Sequence, residues 1–256
     1  MGEHYYGEGG EERYDAGMRE VRKDHLLPSV TTILNVINKY GLNIWKQNLI
    51  YSSMWDYMTS NVMADTCGDP YWEEKGFCIA EVKANLKTEM NKSAEEGAQI
   101  HRGIEAYFKG QRETGYLHPK TEAAFDDFVI GHKISANKIE HSFANYDLGF
   151  GGKIDFIGKI EDRPVIIDWK TKDTEGKNGI QLYNEVPMQL AACAEGICAW
   201  GDMGLVTVII SRDEPGEIHR PKYWNSREKY YQAFRSAQQL WCAEKNYNPW
   251  TGGKWF

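Results

Sequence analysis

From Pro28 onward the apolar residues return at intervals of three and four, with Ile33, Val36 and Ile37 followed by Ile44 and Leu49. That is the repeat of helices that bury one face. Pro28-Ser29 is a start signal and Gly41 a stop, so two helices joined by a turn are expected. The stretch from Phe77 to Gly110 reads as two more, breaking near Asn91 to Ser93, where Ser93 can cap the second helix and Glu96 completes a capping box. Another helix starts after Pro119 and carries Ala123, Phe125, Phe128 and Val129. After Gly131 the period shortens. Residues 138–172 hold short β-branched and aromatic runs separated by Asp147-Leu148-Gly149 and Glu161-Asp162, the pattern of three consecutive antiparallel strands. Helical spacing resumes over 184–200, residues 204–212 form an apolar run suited to a strand buried on both faces, and 226–246 form an amphipathic helix before an aromatic tail.

No internal repeat and no linker interrupts this order, so one domain is expected over 28–256, mainly helical over 28–131 and with a sheet and flanking helices over 132–256. Residues 1–27 are glycine-rich and acidic without hydrophobic period, and read as a mobile arm or an irregular edge. The whole chain of 256 residues is 41% hydrophobic and 13% aromatic, enough for a sizeable core. Its formal net charge of −7 argues against a surface coated in positive charge. Residues 1–20 alone carry six acids against two bases, so a local basic groove elsewhere is compatible with the total. Five dispersed cysteines, no leader-like opening and no membrane-length apolar run indicate a reduced, cytoplasmic protein with no membrane partner.

Candidate chemistry concentrates in the second hairpin. With Glu161-Asp162 as a two-residue turn, Ile160 faces Arg163 and Asp155 falls opposite Asp168. Like charges in that position destabilise a sheet unless something positive lies between them. Lys170 shares the face of Asp168, while Val165, Ile167 and Trp169 point to the other. Two carboxylates with little else suit a hard divalent cation such as Mg²⁺ or Mn²⁺, and an ammonium beside its waters suits activation of one of them. The competing reading is a solvated sheet face on which Lys170 merely pairs with the acids. The apolar composition of 163–170 weighs against it, because ionised acids in such a strand need pairing or a metal.

The run GGKIDFIGKIEDRPVIIDWKTK followed by PMQLAAC resembles the RecB-like exonuclease branch of the PD-(D/E)XK nucleases, and is similar to mitochondrial genome maintenance exonuclease and its phage relatives. Gly97 and His101 on the preceding helix, Glu140 on the first strand and the element PSVT at Pro28 to Thr31 agree with that pattern. The resemblance implies an α/β restriction-endonuclease-like core, a small mixed sheet flanked by helices with a helical N-terminal section. It implies Asp155, Asp168, His101 and the Trp169 carbonyl as metal ligands, Lys170 as the group that orients and activates water, and Gln189 and Glu140 as supporting catalytic residues. Cys193 stands where the pattern has a tyrosine, and the cysteines lack iron–sulfur spacing, so no cluster is expected. On residue type alone, a lone helical histidine such as His101 is more often a satisfied residue than a ligand, and Glu105 one turn on reads either as a partner holding the imidazole tautomer or as a plain solvated charge.

For nucleic acid, Lys83 and Lys87 lie one helical turn apart, with Lys92 beyond, and Lys39, Lys46, Trp45, Tyr51 and Trp55 interleave bases with aromatics in the manner of single-strand binding. Trp45 and Trp55 fit a core stripe equally well. Ser29 and Thr31 or Thr32, near a helix start, are candidate phosphate contacts. The expectation is a metal-dependent DNA exonuclease acting on single-stranded or tailed ends in recombination, repair or replication, in a bacterial or phage-infected cell. A structure-specific endonuclease and a silent nucleic-acid-binding module are the alternatives.

Overall fold

A computed structural model describes residues 3–37, 47–52, 54–55, 79–111, 115–176, 180, 182–198 and 201–256. In chain order these hold β1 (His4–Tyr6), β2 (Glu12–Tyr14), α1 (Met18–Lys23), β3 (Leu27–Pro28), α2 (Val30–Leu34), α3 (Ile79–Phe108), α4 (Pro119–Gly131), β4 (Ile134–Asn145), β5 (Phe150–Ile160), β6 (Arg163–Lys172), α5 (Glu185–Gly196), β7 (Gly204–Ser211), β8 (Lys222–Trp224) and α6 (Arg227–Lys245). The chain falls into two compact units, residues 1–38 with 100–256, and residues 39–99.

The larger unit is a mixed α/β structure around a five-stranded sheet of order β4-β5-β6-β7-β8, in which β6 and β7 are parallel and the other pairs antiparallel. The three expected antiparallel strands are β4 to β6. The run at 204–212 is β7, buried along nearly its whole length. β4, β5 and β6 follow one another through short turns, whereas the parallel β6 and β7 need a crossover, which α5 supplies. The tight turn of the second hairpin places both Glu161 (φ 48°) and Asp162 (φ 67°) in the left-handed region, the mirror-image geometry that matches strand twist.

Each face of the sheet packs a separate core. On one, Val165, Ile167 and Trp169 of β6 meet Ile104 and Tyr107 of α3 and Phe125 and Val129 of α4. On the other, Ile166 meets Val186 and Leu190 of α5, Ile33 of α2, and Phe234 and Trp241 of α6. The strand alternation of β6 therefore aims Asp168 and Lys170 at the α5 side while Trp169 anchors the strand in the opposite core.

Two local expectations are corrected. The helix break at Asn91 to Ser93 is absent, and α3 runs unbroken through it. Neither residue removes a backbone N–H as proline would, and their modest propensity cost is absorbed by a thirty-residue helix. The segment expected to be an arm is packed: β1, β2 and β3 form a three-stranded sheet, and Tyr5, Tyr6, Val21, Leu26 and Leu27 are buried. Its apolar residues come singly or as the adjacent pairs Tyr5-Tyr6 and Leu26-Leu27, so no periodic signal betrays strands only two or three residues long. Within the smaller unit, Tyr51, Trp55 and Lys87 are exposed. Lys39, Gly41, Trp45 and Lys46, and the side chain of Lys83, lie outside the described residues.

Candidate metal centre

The β5–β6 ladder runs from Ile160–Arg163 to Phe156–Ile167, and the next opposed residues are Asp155 and Asp168. There the regular backbone pairing ends, and the Trp169 N–H donates instead to Asp155 Oδ2 at 3.0 Å. At that opening the helix under one face and the helix over the other both reach the acids. His101 of α3 brings Nδ1 to 3.8 Å from Asp155 Oδ2. Gln189 of α5 donates from Nε2 to Asp168 Oδ1 at 3.4 Å. Lys170 Nζ donates to the same Asp168 oxygen at 2.9 Å and lies 3.5 Å from Gln189 Oε1.

Glu140 arrives from β4 by an irregularity. Before it Ala136 faces Gly158, and after it Lys138 faces Ile157 and Ile139 faces Phe156, so one extra residue, Asn137, is inserted in β4. An unshifted register would set Glu140 against Ile154, on the face opposite to Asp155, whereas the bulge brings it level with Asp155. Glu140 also adopts φ 50°, the sparsely populated left-handed region for a non-glycine residue. Ligand atoms of His101, Glu140 and Asp155 lie within 4.8 Å of one another.

The electrostatics are those of a crowded anionic site. Burial and the neighbouring Asp168 push the Asp155 carboxyl up to about 8. Burial opposes the charge on Lys170, but Asp168 and Asp155 outweigh it and hold the ammonium above its ordinary range. Burial, then the Lys170 charge, lowers the His101 imidazole, leaving a neutral ring that can offer a lone pair. Asp168 is 5% exposed, and its Oδ2 has no hydrogen-bond partner among the described residues. A buried carboxylate oxygen left without a donor is costly. The neighbouring His101, Glu140 and Asp155 atoms form a donor set that a hard divalent cation could take.

Asp155, Asp168, Lys170, Gln189, Glu140, His101 and Trp169 thus converge on one opening. Glu105 pairs with Lys109 at 2.5 Å. Cys193 lines the same cleft as Lys153, Asp155, Asp168 and Gln189, and its thiol is raised by burial and then by Asp168. Ser29 is elsewhere: buried, its hydroxyl accepts from the Thr32 N–H at 2.9 Å as the cap of α2, and it bridges to Gly151 of β5. The phosphate contact expected of Ser29 is replaced by a capping role, and only Thr31 of that pair is exposed. Lys153, which no motif singles out, pairs with Glu140 at 3.0 Å. Its place two residues before Asp155 on one strand face was the signal available.

No family profile and no curated protein matches the chain. Among solved structures, SSO0001 is 14% identical over 76% of this chain and 85% of its own, with a TM-score of 0.32. A candidate exonuclease from Eubacterium rectale is 13% identical over 59% of this chain and 68% of its own, with a TM-score of 0.40. Likenesses this distant leave the reading of the centre to its own residues.

Proposed function

We propose that the protein is a divalent-metal-dependent nuclease of the PD-(D/E)XK type, a DNA exonuclease acting on single-stranded or tailed ends. The observation that carries the reading is the group of His101, Glu140 and Asp155 ligand atoms within 4.8 Å of one another, with the buried, partnerless Oδ2 of Asp168 on the strand opposite Asp155. Asp155, Asp168, His101 and the Trp169 carbonyl, with Glu140, would hold Mg²⁺ or Mn²⁺. When bound, the cation supplies Lewis-acid charge neutralisation at the phosphate and acidifies water. The chain's own residues do the rest. Asp168 and Gln189 fix the Lys170 ammonium, which orients the attacking water in line with the scissile bond and steadies phosphate charge. The α3 and α5 helices hold His101 and Gln189 against the acids, so the groups are ordered before substrate arrives. Thr31, Lys83 and Lys87 are proposed contacts for the nucleic-acid backbone. The free thiols of Cys193, Cys198 and Cys242 suit a reducing compartment such as the cytoplasm. Among the described residues no helix is long and apolar enough to cross a membrane.

The test is a pair of substrates, a linear single-stranded DNA and its covalently closed circle, incubated with and without Mg²⁺. The linear form should be consumed only with the cation while the circle survives, because an exonuclease needs an end. Rapid linearisation of the circle would transfer the proposal to an endonuclease, and no Mg²⁺-dependent cleavage of either would overturn it.

A further inference from the structure

The proposed chemistry leaves one ammonium on the cleft wall without a task. Lys153 lies on β5 two residues before Asp155, so both side chains leave the same face, and Lys153 lines the cleft with Asp155, Asp168, Gln189 and Cys193. Two strand residues span about 6.7 Å, a step commensurate with that between successive phosphates of an extended single strand.

The side chain is held in place from two other elements. Its Nζ lies 3.0 Å from Glu140 Oε2 on β4 and 3.6 Å from Glu12 Oε1 on β2. Glu12 is itself fixed, accepting from the Ser142 hydroxyl at 2.6 Å. Lys153 nevertheless keeps about a third of its side chain open to solvent, at 37%. Glu12, Glu140, Asp155 and Asp168 crowd this region with negative charge, which repels a phosphodiester, and Lys170, paired with Asp168 at 2.9 Å, is assigned to the attacking water and the scissile phosphate. An approaching polyanion therefore meets Lys153 as the more exposed of the two lysines beside the acids, 37% against 30% for Lys170.

We infer that Lys153, paired with Glu140 and with Glu12 of the N-terminal sheet, anchors the phosphate adjacent to the scissile one. The inference rests on the nuclease reading above. It adds a second phosphate subsite.

The experiment is steady-state cleavage of a single-stranded oligonucleotide in Mg²⁺, compared with the same oligonucleotide carrying one uncharged methylphosphonate at the linkage next to the bond cut first. For the wild type, the methylphosphonate should raise KM about tenfold, the scale of one charge-assisted hydrogen bond. Lys153→Ala should show that higher KM already on the ordinary substrate, with the loss in KM rather than kcat, and no further penalty from the methylphosphonate. Lys153→Arg should recover most of the binding. Lys153→Gln, which keeps the stem and the polarity, replaces the alanine variant if a thermal melt shows that the latter does not fold. An unchanged KM for Lys153→Ala or Lys153→Gln, or penalties that multiply, would overturn the subsite while leaving the nuclease standing. Failure of the wild type to cleave the ordinary substrate would overturn both.

Discussion

Asp155 is the residue on which the centre turns, because it answers three neighbours at once: the Trp169 N–H, His101 and Asp168. Asp155→Asn or Asp168→Asn should abolish Mg²⁺-dependent cleavage; in the metal-free protein Asp155→Asn should leave the fold intact, whereas Asp168→Asn takes the partner from the Lys170 ammonium and should lower stability. Thermal melts beside an oligonucleotide digest check this, and near-wild-type cleavage by either variant would sink the assignment. The raised Asp155 carboxyl sets a direction in pH. In the metal-free protein this group's contribution to stability is fully present below the ordinary carboxylate range. It is lost as pH rises towards about 8, because the unfolded chain releases the proton first. A bound cation must displace that proton, so Mg²⁺ affinity should rise with pH up to about 8. Calorimetry at pH 7 in two buffers of different ionisation enthalpy should register proton uptake by the buffer, and identical heats would contradict it. Lys170 separates positioning from metal binding. Lys170→Ala should still bind DNA in Ca²⁺ while turnover falls about 10²-fold or more, and a parallel loss of binding would make it chiefly a phosphate anchor.

At the scale of elements, the bulge in β4 decides which acids meet. Opposite it, Gly158 has no room for a side chain: a Cβ there would lie 2.1 Å from the Ser135 carbonyl oxygen and 2.7 Å from the Phe156 ring. Backbone on one side cannot yield as a side-chain tip can. Gly158→Ala is therefore expected to cost about 2 kcal/mol or more, in the range of overpacked cores. It should also weaken Mg²⁺ binding, because the register that brings Glu140 level with Asp155 is disturbed. Denaturant unfolding and metal titration of the same variant test the two effects, and lost stability with unaltered metal affinity would show that Glu140 is no ligand.

For the molecule as a whole, the N-terminal segment is part of the core rather than an appendage. Tyr6 packs so closely on Gly151 of β5 that a Cβ there would lie 2.7 Å from its side chain, and Tyr5 joins Trp241 of α6 in one aromatic pair. A chain truncated to begin at Pro28 loses the buried side chains of Tyr5, Tyr6, Val21, Leu26 and Leu27. At about 1.5–3 kcal/mol for each fully buried large side chain, that loss is comparable with the whole stability of an ordinary domain. The truncated chain should show no cooperative thermal transition by near-ultraviolet circular dichroism.

The sequence by itself determined the hairpin and what it carries. A two-residue turn and a period of two are local rules, so Asp155 opposite Asp168, Lys170 beside it and Trp169 turned away follow without any tertiary information. The order of strands β4 to β6, the buried β7 and the helices α4, α5 and α6 were legible for the same reason, each being long enough for its period to show. Tertiary structure decided what those rules cannot reach. A single inserted residue in β4 moved Glu140 to the face of Asp155, and no local pattern marks which residue a bulge will hold. His101 on α3 and Gln189 on α5 met the acids only because the ladder opens at Asp155, where helices from both faces converge. The N-terminal strands, two or three residues each, owe their order to tyrosines buried against a sheet more than a hundred residues away, since a strand that short has no stability without the surface it covers.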